Sequence, residues 1–506
     1  MRAILILLAF ATVVSAGRLG GGFQQRRLED AVLKPVVTSG TIAYVLEPFS
    51  GGNQTIDLNG DNNAATEQGD GGGWFGSSSN LRLRRACQEE DSEEDFLLLD
   101  FHDGGCVAAD YNLEQSTSGL VQFGRTLQDD RYHSCLAATH LTLRLVHFTA
   151  ETEEESAIVG NPQVRITLLV DNGDNFNSEN IDISSSSDNA WSELSVELPL
   201  GEPFLGRITG WRINLLLNDG SISPRGSVYL DRLACVGGGN MMSAAFTGQG
   251  DTPTEIYEDL VERGAFQSKF YESELSEKDS RLSVLPFDRN VIDTDTANSI
   301  PSAILFDPYV AEQTKSWGGF ISVRSFAPGP AFYDLSEASS ISFQYETLRP
   351  ASPSGRVHLR LILTDASDCL DGMGCLQTDS IMMEAYYSFH HVLNQEAGPG
   401  INTITIDLEG NADSSSPFWR TGWEGQVGND VLDKSNIKGW TFEINIDSQG
   451  ELESSVSGSV MVGNLTANFG RKASSESGPK SFVAEPDLLL EMSLPSIMTK
   501  IEFISL

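Results

Sequence analysis

The chain is predicted to be all-β, with two tandem antiparallel β-sandwich domains and a short helix in the linker between them. Three observations carry that expectation. Short blocks alternate apolar and polar residues, the period of a strand with one buried face. The blocks occur twice in the same order, so the chain is internally duplicated. The 48 glycines and many Ser/Asn/Asp clusters supply turns, while the crossover helices that a parallel sheet requires are not visible between the blocks.

The duplication is read block by block. Phe96-Leu-Leu-Leu-Asp-Phe-His-Asp103 is matched with Ala303-Ile-Leu-Phe-Asp-Pro308, and Leu141-Thr-Leu-Arg-Leu145 with Ile341-Ser-Phe-Gln-Tyr345. Val164–Val170 is matched with Val357–Leu363, and Leu194–Leu198 with Ile404–Leu408. Gly210-Trp-Arg-Ile-Asn214 and Gly226-Ser-Val-Tyr-Leu230 then find Gly439-Trp-Thr-Phe-Glu443 and Gly458-Ser-Val-Met-Val462. In the second copy Val357, Leu359, Leu361 and Leu363 are expected to face inward, with His358, Arg360 and Ile362 opposite. Trp211 and Trp440 hold the same place in the repeat and are expected in the core.

These blocks place sandwich one at 95–237 and sandwich two at 300–470. Residues 17–94 read as an N-terminal extension, mostly loop, with one apolar stretch at Thr41–Leu46. The linker, 238–299, holds a short helix at Thr254–Arg263, with Thr252 or Thr254 as cap and Gly264 as stop. A Ser/Gly stretch opens the tail, 471–506. Residues 1–16 read as a cleaved secretory signal: Arg2, an apolar run over Ala3–Val14, then small residues before Gly17. Arg26-Arg27 reads as a solvated charge pair or a propeptide cut. The expected location is therefore secreted, with no membrane insertion.

Charge narrows the partners. Lys and Arg number 33 against 71 Asp and Glu, a net charge of −38, and so acidic a surface repels phosphate backbones and anionic lipid heads. No nucleic-acid partner is expected. Six cysteines fit an oxidising compartment. Cys369 and Cys375 close a small glycine-bearing loop, and Cys87–Cys106 with Cys135–Cys235 is the pairing expected for the other four. Asn53 and Asn464 stand in glycosylation sequons.

The second copy carries further markers: Tyr333-Asp-Leu-Ser336, the strands Ile341–Tyr345 and Leu359–Asp365, Ile437-Lys-Gly-Trp440, and the closing Gly458–Leu465. In copy one the closing run is Ser227-Val-Tyr-Leu-Asp231, and Gly463 replaces that Asp in copy two. Together these blocks resemble the galactose-binding-domain-like jelly rolls, the β-sandwich fold of many carbohydrate-binding modules. The resemblance covers roughly two thirds of the chain and rests on fold markers. It implies a non-catalytic module, often with a structural calcium, whose partners are polysaccharides or the glycans of glycoproteins.

Sugar binding needs flat rings to stack on pyranose faces and polar groups to bond hydroxyls. Copy two is longer than copy one in two places, and the added segments are rich in aromatics. Tyr386, Tyr387, Trp419 and Trp423 are the candidate platform; the plainer reading makes them plugs over the sandwich ends. If 341–346 and 357–363 share a sheet, Gln344, Glu346, His358 and Arg360 project from its non-core side as a groove or as an ordinary solvated face. Trp317 is placed at the rim.

Calcium is the cofactor considered. Asp57, Asn59 and Asp61 offer oxygens at alternate positions, as the start of an EF-hand or dockerin loop does, but Asn62 stands where the turn glycine belongs. Asp100, Asp103 and Asp231 are a second candidate set, if the two ends of sandwich one meet. The Asp171–Glu179 loop is a weaker one.

Catalytic signatures such as H-E-x-x-H and G-x-S-x-G are missing, and Gly71-x-Gly73-x-x-Gly76 follows a loop, not a strand. His390-His391, adjacent in a strand, should point to opposite faces. The expected function is thus a secreted, non-catalytic glycan-binding protein. Its rivals are an acidic calcium-binding matrix or adhesion protein and a polysaccharide-acting hydrolase or lyase.

Overall fold

A computed structural model describes residues 43–47, 49, 55–56, 72–76, 80–86, 106–113, 119–127, 132–149, 162–183, 191–216, 225–242, 248–285, 303–365, 384–394, 400–408, 418–420 and 431–469, apart from 172, 174, 200–201, 238–239 and 330. The signal segment, Arg26-Arg27, Asn53, the Asp57–Asp61 loop, Cys87, Asp100, Asp103, Cys369, Cys375, Trp423 and the tail lie outside the described residues.

Four strands come from the segment expected as mostly loop: β1 (Ala43–Glu47), β2 (Thr55–Ile56), β3 (Gly72–Gly76) and β4 (Leu81–Ala86). Copy one adds β5 (Cys106–Asn112), β6 (Leu120–Leu127), β7 (His140–Thr149), β8 (Gln163–Val170), β9 (Phe176–Asn177), β10 (Ile181–Asp182), β11 (Ser192–Glu197), β12 (Ile208–Leu216) and β13 (Arg225–Val236). The linker contributes α1 (Pro253–Glu262), β14 (Gln267–Phe270), α2 (Glu274–Asp279) and β15 (Leu282–Leu285). Copy two supplies β16 (Ala303–Glu312), β17 (Gly318–Phe326), β18 (Phe332–Asp334), β19 (Ser340–Ser352), β20 (Val357–Asp365), β21 (Glu384–His390), β22 (Asn402–Asp407), β23 (Trp419–Arg420), β24 (Ile437–Asp447) and β25 (Ser455–Asn468).

Each copy packs two antiparallel sheets over a shared core, as the alternation predicts. In copy one β4-β5-β13-β7-β11 faces β3-β6-β12-β8, with β9 and β10 on the outer edge of β8. In copy two β15-β16-β25-β19-β22 faces β14-β17-β24-β20-β21-β23. Trp211 and Trp440 are both buried at equivalent places. Trp211 meets Trp74 edge-on at 5.5 Å, and Trp440 meets Phe266 at 5.8 Å. The duplication also shows in two matched glycines. Gly226 lies opposite Tyr111 and Gly458 opposite Tyr309, and a Cβ on either glycine would overlap the facing phenol.

Two details of the sequence match move. The strand that pairs with β13 is Cys106–Asn112, so that strand, and not Phe96–Asp103, is the counterpart of β16. In addition Leu168 sits opposite Trp211 while Leu363 sits opposite Trp440, which shifts the β8-to-β20 match by two residues. A slip of two keeps every side chain on its own face, so alternation cannot detect it.

The copies are fused through the extension. β1 pairs with β13 of copy one on one edge and with β18 of copy two on the other. Tyr333 of β18 registers with Ile437 of β24, so the closing sheet of copy one continues into the non-equivalent sheet of copy two. Buried Glu47 of β1 is held by Arg125 at 2.9 Å, and Arg232 crosses to Asp334 at 2.9 Å. Trp440 Nε1 and the Tyr333 hydroxyl both donate to the carbonyl of Met241, which seats the linker in the core. The described residues, all of which lie within 1–470, cluster as one compact unit.

α1 forms where its caps require. Thr252 accepts from Glu255 N–H while the Glu255 carboxylate accepts from Thr252 N–H, and Ile256, Tyr257 and Leu260 are buried. Cys135–Cys235 is a disulfide, as expected, and staples the loop before β7 to the end of β13; Cys106 is disulfide-bonded too.

Candidate functional site

β24 shows how the sequence builds a face. Trp440, Phe442, Ile444 and Ile446 enter the core, so Thr441, Glu443 and Asn445 must point outward. On β20 the inward residues are Val357, Leu359, Leu361 and Leu363, as expected, leaving His358, Arg360 and Ile362 outside. Register brings the outward residues into rows: His358 beside Asn445, Arg360 beside Glu443, Ile362 beside Thr441. On the next strands Phe389 lies beside Arg360, Tyr387 beside Ile362, and Trp419 beside Tyr387. On the opposite side Phe320 lies beside Asn445 and Ser322 beside Glu443, while Lys269 of β14 faces Ser322.

The result is a band across the outer face of this sheet, polar in the middle and aromatic at both ends. One end stacks Phe389 on Trp419 at 5.4 Å, with Tyr387 5.8 Å from Trp419 and His358 5.5 Å from Phe389. The other end groups Tyr271 with Phe320 at 4.9 Å and with Trp317 at 5.1 Å. Phe389 and Trp317 are 40% and 50% exposed, and exposed rings at both ends of one face are available for stacking. Three strand spacings separate Phe320 from Phe389, about 14 Å.

The floor between the rings is a hydrogen-bonded set. Arg360 donates from Nη1 to Glu443 at 2.9 Å and from Nε to His358 Nε2 at 3.1 Å, and its guanidinium lies 5.1 Å from the Tyr387 ring. Asn445 adds a 3.4 Å bond to Glu443. Burial raises the Glu443 carboxyl, and Arg360, Asn445 and Lys269 pull it back. Burial, with Arg360 next, pushes His358 down to about 3, which keeps its Nε2 lone pair available to Arg360.

Of the expected binding residues, His358, Arg360, Tyr387 and Trp419 come together, with Trp317 across the same face. Gln344 does not join them. β19 and β20 follow each other in sequence but lie in opposite sheets, so Gln344 is on the other side of the sandwich, where it accepts from the Asn464 amide at 3.1 Å. Tyr386 is fully buried on the core side and donates to Glu384 at 2.6 Å, because adjacent strand residues alternate faces. His390 and His391 do separate: His390 packs on core Phe343, while His391 is exposed beside Phe389. Phe389, Glu443, Asn445, Phe320, Tyr271 and Lys269 were not singled out from the sequence; the alternation of β24 would have found Glu443 and Asn445.

For calcium, Asp231 is fully buried and its carboxylate is bonded by Arg144 at 2.7 Å, so this oxygen is already committed to a cation. In the Asp171 loop, Asn175 accepts from Val170 N–H and Asn177 accepts from Thr167, turn bonds of the loop itself. No group of three His, Cys, Asp or Glu comes together among the described residues. No helix among them is long and apolar enough to cross a membrane.

No family model and no curated protein matches the sequence. Among solved structures the chain is similar to the tandem CBM22-1–CBM22-2 domain of Paenibacillus barcinonensis Xyn10C, at 8% identity over 83% of this chain and 98% of that one, with a TM-score of 0.22. It is similar also to a structure described as carbohydrate-binding modules of the β-sandwich superfamily, at 8% identity over 64% and 98% of the two chains, TM-score 0.23. A β-1,2-glucanase from Parabacteroides distasonis matches at 9% identity over 70% of this chain and 39% of its own, TM-score 0.22.

Proposed function

We propose that this chain is an exported, non-catalytic glycan-binding protein whose site is the outer face of β14-β17-β24-β20-β21-β23. The observation that carries the reading is the band itself: exposed rings at both ends of a face whose floor presents Arg360, Glu443, Asn445 and His358. Rings stack on the apolar faces of sugars, and part-exposed Arg360, oriented by buried Glu443, is a donor for hydroxyls. A shallow, preformed surface of this kind suits a polymer, which lies across it without being enclosed.

The spacing of acids along β24 supports a non-catalytic role. Glycoside hydrolysis needs two carboxyl groups about 5–9.5 Å apart. The next carboxylate on this face of β24, Asp447, is four residues on, about 13 Å away, and is bound by Arg356. The Cys135–Cys235 disulfide supports export, since such bonds persist in oxidising compartments.

A glycan array probed with the full chain and with Trp419→Ala tests the reading. Retention of a defined set of glycans, lowered about tenfold by the substitution, is expected. Binding that Trp419→Ala leaves unchanged would remove this face from the site.

A further inference from the structure

We infer that Asn464 carries an N-linked glycan on the outer face of β15-β16-β25-β19-β22, so that copy two bears a sugar on one sheet and recognises sugars on the other. This rests on the reading of the chain as exported, because the modification belongs to the secretory route. Asn464-Leu-Thr466 is the sequon. Direction is the first requirement. Val460, Val462 and Leu465 enter the core, while the Asn464 and Thr466 side chains turn outward to Gln344 and Ser342 of β19. A glycan on an inward residue of this strand would keep the two sheets apart.

The backbone supplies the second. β25 advances three residues, from Gly463 to Thr466, where β19 advances two, from Gln344 to Ser342, so a bulge falls at Asn464 and Leu465. Asn464 takes a φ of 49°, the left-handed region that asparagine tolerates. The pairing of β16 with β25 ends at Ala303 and Gly463, so Asn464 stands just past it and is partly exposed. Space supplies the third. Ser342 lies opposite Thr466, and Thr405 of β22 lies opposite Ser342, so the face beside Asn464 is made of short neutral side chains. Their hydroxyls offer hydrogen bonds to a sugar lying on them.

The chemistry preserves the local structure. The Asn464 amide nitrogen carries two hydrogens and donates one to Gln344 Oε1 at 3.1 Å. The donor is an oligosaccharide linked to a lipid pyrophosphate. Nδ2 bonds to the sugar C1, the C1–O bond to the pyrophosphate breaks, the lipid pyrophosphate leaves with that electron pair, and the amide gives up one proton to a base of the transferase. One N–H remains for Gln344. Because β25 lies between β16 and β19, transfer has to precede closure of the sheet, while the sequon is still in open chain. Once folded, the two sheets of copy two, about 10 Å apart, separate the root of this glycan from the band of rings around Arg360.

The test is peptide mapping of the full chain secreted by a eukaryotic host. Release of N-glycans by a glycosidase in heavy-oxygen water turns a glycosylated Asn464 into an Asp that carries the label, which mass spectrometry reads. Labelling of most Asn464 is expected. Thr466→Ser should keep the glycan, whereas Thr466→Val and Asn464→Asp should lose it and run faster on a denaturing gel. Asn464→Asp should change retention on the glycan array by less than about twofold, since its face is not the binding face. Secreted chain with a bare Asn464 would overturn the inference and leave export standing. Chain that stays inside the cell would overturn export and the inference with it. Labelled Asn464 together with a blank glycan array would support the inference and overturn the binding face alone. A loss of retention of about tenfold or more in Asn464→Asp would overturn the division of the two faces.

Discussion

The outer face of β3-β6-β12-β8 in copy one occupies the place that the candidate face holds in copy two, yet its residues are different in kind. Where copy two has Glu443, copy one has Asn214, a buried amide that donates to the Arg165 carbonyl and to Thr167. Where β17 carries Phe320, Ser322, Arg324 and Phe326, β6 turns out Gln122, Gly124 and Thr126. Phe75, opposite Gly124, is a ring on this side; Arg165 stands opposite Asn214 as Arg360 stands opposite Glu443, so the arginine is kept and its acid is replaced by an amide. The same scaffold thus shows what sandwich packing alone requires of that face, and the clustered rings and the Glu443 carboxylate of copy two are the surplus over it. That surplus is the reason for assigning recognition to copy two and support to copy one.

The largest difference between the faces should appear in stability. Glu443→Ala leaves half-buried Arg360 poorly compensated and should cost about 3 kcal/mol, against about 1 kcal/mol for Asn214→Ala. Urea unfolding of the two variants checks this, and equal costs would mean that the ion pair is no more than a substitute for the amide. Next comes recognition. Removing Phe389 and Trp419 together should weaken glycan retention about a hundredfold, or about 2.7 kcal/mol.

Acid should act mainly through copy two. Burial holds His133 and His358 at about 3 and His390 at about 4, against an ordinary value of 6.5. Between those limits the unfolded chain binds protons that the folded rings refuse. Stability should therefore fall as pH drops below about 6.5 and level off near 3, by at least about 1 kcal/mol between pH 7 and pH 4. Glu443, raised by burial, opposes this over its own titration. His358→Gln should flatten the slope measured by denaturation at several pH values. The smallest effect is expected at Phe75→Ala, which should change glycan retention by less than about twofold.

Much of the candidate face was legible because alternation is a local property. Val357–Leu363 told inside from outside, which delivered His358 and Arg360, and Trp419 stood out as a ring in a segment that copy one lacks. Other parts depended on pairing between distant strands. Gln344 fails the condition attached to it, that 341–346 and 357–363 share a sheet, because the chain crosses between sheets after β19. Of Tyr386 and Tyr387 only one can face outward, and the phase comes from pairing with β20. Lys269 and Tyr271 lie in the linker, where only β17 brings them to the face. β1 was visible as an apolar run, but nothing local reveals that both its edges are taken by different copies.

Hydrogen–deuterium exchange of the full chain, with and without a glycan that it retains, tests the central claim most directly. The account predicts slowed exchange at 318–326, 357–365, 384–390 and 437–447, with 120–127, 163–170 and 208–216 unchanged. Protection confined to the copy-one strands, or equal in both copies, would contradict it.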